Sequence, residues 1–209
     1  MSSTPFRILE ATRRLVAQRG AGIAMADVAR EAGISRQAVY LHFNSRASLF
    51  VAVVRHMDEQ GDIRRRCEQA LSHDDPVEAL EAFVLAWLRY AAKIHPVASA
   101  FLASRHDDPD AMTAWNDRMG ELRAGFRHAT QRMATAGRLR PGLDPATAAD
   151  LAWAMTSIPV WEQLTIDCGR TGETVRRHLA GAVIDAVSTG HTDPSRGPAQ
   201  EPGDARMSG

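Results

Sequence analysis

Four polar side chains lie close together in the stretch VAREAGISRQAVYLHF, residues 28–43: Arg36, Gln37, Tyr40 and His42. Arginine and glutamine can each make two hydrogen bonds to a base edge in duplex DNA, to guanine and to adenine respectively. Tyrosine and histidine can bond phosphate oxygens. The residue types therefore indicate contact with nucleic acid, on condition that one short helix presents all four outward.

The residues around this group predict two short helices that meet at a steep angle. Gly33 lies between two helical stretches, and glycine readily adopts the positive φ that such a turn requires. Ala29 is small enough to let the second helix cross closely over the first. The residues expected to pack this helix-turn-helix are Val28, Ala29, Ala32, Gly33, Ile34 and Val39.

Charge is divided unevenly along the chain, although the formal net charge of its 209 residues is zero. Residues 1–56 contain eight arginines and three acidic residues. A basic end on an acidic body is typical of a protein whose first quarter binds a polyanion. A solvated charged face would give the same pattern, so charge alone leaves both interpretations open.

The composition excludes several classes of protein. The longest uncharged apolar run, residues 151–161, is far shorter than the roughly 18 residues of a membrane-spanning helix. The amino terminus lacks the apolar stretch of a secretion signal. Cys67 and Cys168 are isolated and are not expected to form a disulfide bridge. We therefore expect a protein of the reducing cytoplasm.

Apolar residues recur with helical spacing through most of the chain, and no stretch predicts a β-strand. Four pairs predict the start of a helix, with a capping residue before a proline at the first helical position: Thr4-Pro5, Asp75-Pro76, Asp108-Pro109 and Asp144-Pro145. We expect the predicted helices to cover residues 4–19, 45–71, 76–95, 96–105, 109–136, 144–167 and 171–189 in addition to the two short ones. Pro159 is expected to kink the helix that contains it.

Residues Phe6–Phe50 resemble the DNA-binding head of the TetR family of bacterial transcriptional regulators. The resemblance rests on the apolar first helix ending in Arg-Gly and on the motifs D-V-A-x-x-A-G-I-S, Y-x-H-F and S-R-A-x-L. Beyond this quarter of the chain it is weak, and only the helix order and the segment Gly137–Ala149 are similar.

The resemblance implies an all-α fold of about nine helices. A three-helix head would occupy residues 1–45, with the helix-turn-helix motif at about 24–43. A larger helical domain for ligand binding and dimerisation would occupy residues 46–189. The last segment, 190–209, is rich in Gly and Pro and has almost no apolar residues, so we expect it to be disordered.

The resemblance also assigns roles to single residues. The positions where the family contacts bases or nearby phosphates are Ser35, Arg36, Gln37, Ala38, Tyr40, His42 and Arg46. Ser45 would cap the fourth helix. Arg46 stands where the family usually has Lys, and the departure that matters is Ala24, which stands where Thr or Ser commonly caps the second helix. Losing that cap costs about 1 kcal/mol, and the charge of Asp27 in the first turn offsets part of the cost.

Further expectations concern partners. In the family the last two helices of two subunits form a four-helix bundle; here these would be residues 144–167 and 171–189. A homodimer would read a palindromic DNA operator. The acidic body would hold a small ligand and needs no cofactor. Residues that could line an apolar ligand pocket, or instead form ordinary core, are Phe83, Trp87, Tyr90, Phe101, Met112, Trp115, Met119, Met155 and Trp161.

Three functions stay open at this point. The first is a repressor released by a small, hydrophobic ligand, and the second is a dimeric DNA-binding regulator without such an inducer, which answers to a protein partner or acts as an activator. The third is an enzyme or binding module with a similar head, although the sequence lacks the G-x-S-x-G, H-E-x-x-H and Gly-rich phosphate motifs.

A metal site is not expected. The cluster His106, Asp107, Asp108 and Asp110 contains suitable ligand types, but capping by Asp108 and first-turn anions explain it better. The same reasoning applies to His73, Asp74 and Asp75.

Overall fold

The computed structural model describes residues 3–104 and 108–189, and these residues form ten α-helices and no β-strand. In chain order the helices are α1 (Thr4–Arg19), α2 (Met25–Ala32), α3 (Arg36–Tyr40), α4 (Arg46–Gly61), α5 (Ile63–Leu71), α6 (Pro76–Ser104), α7 (Pro109–Thr135), α8 (Pro145–Met155), α9 (Ile158–Glu162) and α10 (Gly172–Val187). The predicted disordered tail, 190–209, lies outside the described residues.

The first three helices and the start of α4 form the amino-terminal head. Ile8 and Leu15 of α1, Val28 of α2, Val39 of α3 and Phe50 of α4 are all buried in one apolar cluster. Gly20 ends α1 with a φ of 71°, as its position in the sequence predicts.

The rest of the chain packs around α6. This long helix contacts α1, α4, α5, α7, α9 and α10, while α7 lies along α8. The rings of Phe83 on α6 and Phe126 on α7 meet edge to face, with centroids 5.0 Å apart. The prediction of an all-α protein with a helix-turn-helix head and a helical body is therefore confirmed.

Three Asp-Pro pairs start helices as predicted, whereas the predicted cap at Thr4 was wrong because Thr4 is already inside α1 and Ser3 precedes it. Asp75 accepts a hydrogen bond from the Val77 amide at 2.7 Å. Asp108 accepts one from the Ala111 amide at 2.9 Å, and Asp144 accepts from the amide nitrogen of residue 146 at 3.0 Å. Each carboxylate thus satisfies an amide that has no partner inside its own helix.

The predicted single helix over residues 45–71 was wrong. The chain leaves the helical conformation at Asp62, whose φ is 52° and ψ is 36°, so that α4 ends at Gly61 and α5 begins at Ile63. Asp is one of the few residues other than glycine that enters this left-handed region readily.

The predicted break at Pro96 was also wrong, because α6 runs through this proline. Proline has no amide hydrogen, so the carbonyl of Ala92 loses its helical partner. The Nδ1 atom of His95 lies 3.1 Å from that carbonyl oxygen and takes the missing place. The flanking residues Ile94 and Val97 are buried, and their packing holds the helix together across the proline.

The helix predicted over residues 144–167 is broken rather than kinked. It ends at Met155, and the extended Ser157 precedes α9, in which Pro159 lies in the first turn. A proline there is favourable because its missing amide has no helical partner in any case. A π-helical segment, Gln163–Asp167, follows α9.

Candidate nucleic-acid interface

The corner between α2 and α3 is formed by Gly33, in the left-handed conformation with φ 66° and ψ 40°. The Ile34 amide then donates to the carbonyl of Ala29 at 3.0 Å. The guanidinium of Arg7 on α1 donates to the carbonyls of Ala32 and Gly33, the latter at 3.5 Å. Arg7 therefore closes the end of α2, a role that the sequence pattern did not reveal.

The residues predicted to pack the helix-turn-helix occupy its inner side. Val28, Ala29, Ala32 and Val39 are buried, and Ile34 is half-buried. The corner itself, at residue 33, remains exposed.

Ala24, the residue before α2, has no side chain that can cap the helix, but Asp27 three residues later supplies a hydrogen bond there. The Ala24 amide donates to the Asp27 carboxylate at 3.0 Å. The same carboxylate accepts from Arg30 at 3.2 Å. Asp27 therefore makes a hydrogen bond at this helix end, in addition to the expected dipole interaction.

Helix α3 begins at a capped residue, since the Ser35 hydroxyl accepts a hydrogen bond from the Ala38 amide at 3.1 Å. It is shorter than the predicted stretch of residues 36–43 and ends at Tyr40. The amides of His42 and Phe43 both donate to the carbonyl of Val39, each at 3.0 Å. This sharing ends the helix in a tight turn.

One side of α3 faces solvent with its polar residues. Arg36, Gln37 and Tyr40 are exposed, whereas Val39 is buried. The guanidinium carbon of Arg36 lies 5.5 Å from the ring centre of Tyr40, in a cation–π contact. Leu41, the residue after α3, is 78% exposed, an unusual position for a leucine that no motif in the sequence marks.

The remaining predicted contact residues lie around the same side. Ser35 and His42 are exposed, and Ala38 and Arg46 are half-buried. Ser45 caps α4, because its hydroxyl accepts from the Ser48 amide at 2.9 Å and its own amide donates to the Ser48 hydroxyl at 3.1 Å.

Two polar contacts join α4 to α7. The Ser45 hydroxyl donates to the carboxylate of Asp108, and this bond, followed by the Ala111 amide, lowers the pKa of Asp108 below its usual value. Further along, Asp58 accepts two hydrogen bonds from Arg118, each 2.7 Å long. The helix that follows the helix-turn-helix is thus held to the body near both of its ends.

A cavity of about 830 Å³ lies between α4, α5, α6 and α7. Phe83 and Trp87 form part of its wall, and the half-buried Cys67 lies there too, with burial raising the pKa of its thiol to about 11. Gly125 of α7 faces Phe83 so closely that a β-carbon on it would lie 2.3 Å from the ring.

The other predicted pocket residues do not line this cavity. Tyr90 donates to the carboxylate of Asp58, next to the cavity wall. Phe101 and Trp115 pack against each other with ring centres 4.9 Å apart. The residues that are placed elsewhere on α7, α8 and α9 are Met112, Met119, Met155 and Trp161.

Within the described ranges, no three His, Cys, Asp or Glu side chains are grouped so as to hold a metal ion. His106 and Asp107 of the sequence cluster lie outside those ranges. None of the helices that the structure describes is long and apolar enough to cross a membrane.

The helices predicted to pair two subunits carry apolar side chains in solvent. Leu151 on α8 is 41% exposed and Ile166, just after α9, is 62% exposed. On α10, the small residues Gly181 and Ala182 are exposed.

Comparison with known proteins connects this geometry to a family. Residues 8–53 match the family model described as bacterial regulatory proteins, tetR family. The HTH-type transcriptional regulator TtgR of Pseudomonas putida is 34% identical over 83 residues, which is 39% of this chain. That match spans 40% of the relative's own length.

Solved structures share the fold over most of the chain. A putative TetR-family regulator from Rhodococcus sp. has a TM-score of 0.70 at 22% identity, covering 89% of this chain and 99% of that one. A tetR-family bacterial regulatory protein from Rhodococcus RHA1 has a TM-score of 0.72 at 19% identity, covering 90% and 98%.

Proposed function

Residues 8–53 match the model of the TetR family of bacterial regulatory proteins, and from this premise we propose that the chain is a TetR-type DNA-binding transcriptional repressor. The domains would be a helix-turn-helix head (residues 1–45) and a helical body for ligand binding and dimerisation (46–189). The observation that carries the proposal is the exposed polar side of α3, held outward by the Gly33 corner and the buried Val39.

The head would place α3 in the major groove of duplex DNA, which is wide enough to admit a helix. We infer that Arg36 and Gln37 read base edges, which each can bond at two points. The exposed Leu41 would contact a thymine methyl group. Phosphates would be bonded by Tyr40 and His42, and the proposed set is completed by Ser35, Ala38 and Arg46.

A single α3 offers few contacts, so the proposal includes a homodimer. Two copies would read the halves of a palindrome about 34–36 Å apart, or a multiple of that distance. The exposed apolar residues Leu151 and Ile166, and the small residues Gly181 and Ala182, give α8 to α10 a surface that a second copy could cover. This pairing is symmetric, so it closes at two subunits.

A small ligand in the cavity would release the DNA. The cavity is bounded by α4 and α7, the two helices joined by the Ser45–Asp108 and Asp58–Arg118 contacts. A molecule that separates these helices would move α4 and, with it, the orientation of α3. Ligand binding and DNA binding would then oppose each other by the same coupling free energy.

The test is selection of bound sequences from random duplex DNA by the full chain. We expect a palindrome with a fixed half-site spacing, and an affinity that falls steeply as salt rises because phosphate contacts release counterions. Sedimentation should give the mass of a dimer at micromolar concentration. Recovery of no common sequence, or a monomeric mass in the presence of the DNA, would contradict the proposal.

A further inference from the structure

The cavity between α4, α5, α6 and α7 is lined by both apolar and charged residues. Leu71, Phe83 and Trp87 supply aliphatic and aromatic surface. Its acidic lining residues are Asp58, Glu59, Asp62, Glu68, Asp117 and Glu121, against the basic residues Arg55, Arg64 and Arg118. At neutral pH the lining therefore carries more negative than positive charge.

Ion pairing leaves part of this negative charge free. Arg118 is paired with Asp58 at 2.7 Å, and Arg64 lies 3.4 Å from Glu121. Asp62 is paired with Arg65, outside the lining.

Within the described residues, three lining acids form no ion pair, and all three are exposed to solvent at the cavity: Glu59, Glu68 and Asp117. Among the lining bases that the structure describes, Arg55 is the one without an ion pair. The unpaired charges thus favour a cation over an anion.

The aromatic side chains next to the cavity already surround a cation. The guanidinium carbon of Arg118 lies 5.9 Å from the ring centre of Trp87, 5.6 Å from that of Tyr90 and 5.8 Å from that of Trp115. Cations over aromatic faces are stabilised by the ring quadrupole. Trp87, one of these three aromatic residues, also lines the cavity, so a ligand cation there would contact its ring.

We propose that the cavity binds an organic cation with an apolar body, its charge held among Glu59, Glu68 and Asp117 and its apolar part against Leu71, Phe83 and Trp87. This inference rests on the proposed function only in treating the cavity as the effector site. A cation entering here would also compete with Arg118 for the carboxylate of Asp58 and so weaken one contact between α4 and α7.

The test uses two probes of nearly the same shape and opposite charge, tetraphenylphosphonium and tetraphenylborate. Each is titrated into the full chain, with binding measured by calorimetry and by tryptophan fluorescence. We expect the cation to bind at least ten times more tightly than the anion. Equal affinities, tighter binding of the anion, or no binding of either probe at millimolar concentration would overturn the inference.

Site-specific variants separate the cavity from general charge. The triple variant Glu59→Gln, Glu68→Gln and Asp117→Asn should lose at least ten-fold in cation affinity. A matched variant of exposed acids outside the cavity, Glu78→Gln, Glu81→Gln and Glu173→Gln, changes the net charge equally and should bind the cation as the unaltered chain does. Equal losses in both variants would place the cation elsewhere and overturn the inference.

A separate readout follows binding of the chain to its selected DNA. Release of that DNA by tetraphenylphosphonium, with no release from the cavity variant, supports the inference at the effector site. If the chain selects no DNA sequence and yet binds the cation with the expected preference, the proposed function fails and the cavity chemistry stands.

Discussion

Asp58 on α4 and Arg118 on α7 are 60 positions apart in the chain and are joined by two hydrogen bonds, each 2.7 Å long. The Arg118 side chain is only 13% exposed. Burial opposes its charge, but the hydrogen bonds and charge of Asp58 outweigh burial and raise the pKa of Arg118 above its usual value. The helix that leaves the head is therefore attached to the body by a well-formed and largely buried ion pair.

Removing one member of this pair should leave a buried charge without its partner. We expect Arg118→Met to lower the free energy of unfolding by about 3 kcal/mol. The double variant Asp58→Leu with Arg118→Met should recover much of that loss because neither charge remains. Urea unfolding measures both. The control is Arg64→Met, which breaks an exposed pair with Glu121 and should cost less than about 1 kcal/mol. A loss as large in the control would contradict the reasoning.

Replacement of Gln37 tests base reading on α3. Gln37→Ala removes two possible hydrogen bonds to adenine, so we expect a loss of about 1–3 kcal/mol in discrimination against a changed base, with unchanged folding. Fluorescence anisotropy with the selected DNA and single-base variants measures it. Gln69→Ala on α5 is the matched control, since Gln69 is exposed on the body. Retained discrimination in Gln37→Ala would show that this side chain reads no base.

The corner at Gly33 has a backbone conformation that alanine adopts poorly. We expect Gly33→Ala to cost about 1–2 kcal/mol because a β-carbon is unfavourable at a φ of 66°, and it would lie 3.2 Å from the Arg7 guanidinium. Gly33→Asn should cost less, since asparagine tolerates this region better. Thermal unfolding compares the two variants. A smaller loss for alanine than for asparagine would argue against backbone strain as the cause.

Two glycines on α7 provide a matched pair for the packing of the cavity wall. Gly125→Ala would put a β-carbon 2.3 Å from Phe83, so we expect overpacking of about 1–3 kcal/mol. Gly120 has nothing within 4 Å of the same position, so Gly120→Ala should stabilise the helix by about 0.5–1 kcal/mol. Chemical unfolding measures the change in the free energy of unfolding of each variant, which should be opposite in sign. If Gly125→Ala is as stable as Gly120→Ala, the contact with Phe83 is not limiting.

Local rules in the sequence were sufficient for the helix ends and the corner. Asp75, Asp108 and Asp144 each cap the helix that the following proline begins, and Gly33 adopts positive φ. These outcomes depend on a residue and its nearest neighbours along the chain, so the pattern predicts them. The pattern likewise predicts that Val39 packs on the inner side of the helix-turn-helix, and Val39 of α3 is buried.

Features set by distant parts of the chain were not predictable in this way. The helix continues through Pro96 because Ile94 and Val97 are buried in the core, and this packing adds to the local contact of His95 with the Ala92 carbonyl. The break at Asp62 has no strong signal other than the preceding glycine. Contacts such as Arg7 with the end of α2, or Asp58 with Arg118, join positions whose proximity only the packed helices determine.

The Ser45–Asp108 contact leads to a prediction for acidic pH. Because the folded chain lowers the pKa of Asp108, its charge stabilises the fold above the usual value of about 3.9, and this contribution is lost as the pH falls through the lower, folded value. The first cause is the hydrogen bond from Ser45, and the second is the Ala111 amide. Ser45→Ala should therefore move the pKa of Asp108 upward, toward its usual value. NMR titration of the side-chain carboxyl groups measures this shift directly.

Asp144 is the internal control, because the Thr147 side chain and backbone in its own helix lower its pKa, and it should titrate alike in both proteins. An unchanged Asp108 titration in Ser45→Ala would show that the two helices are not joined through this pair, and the route from the cavity to α4 would then depend on Asp58 and Arg118.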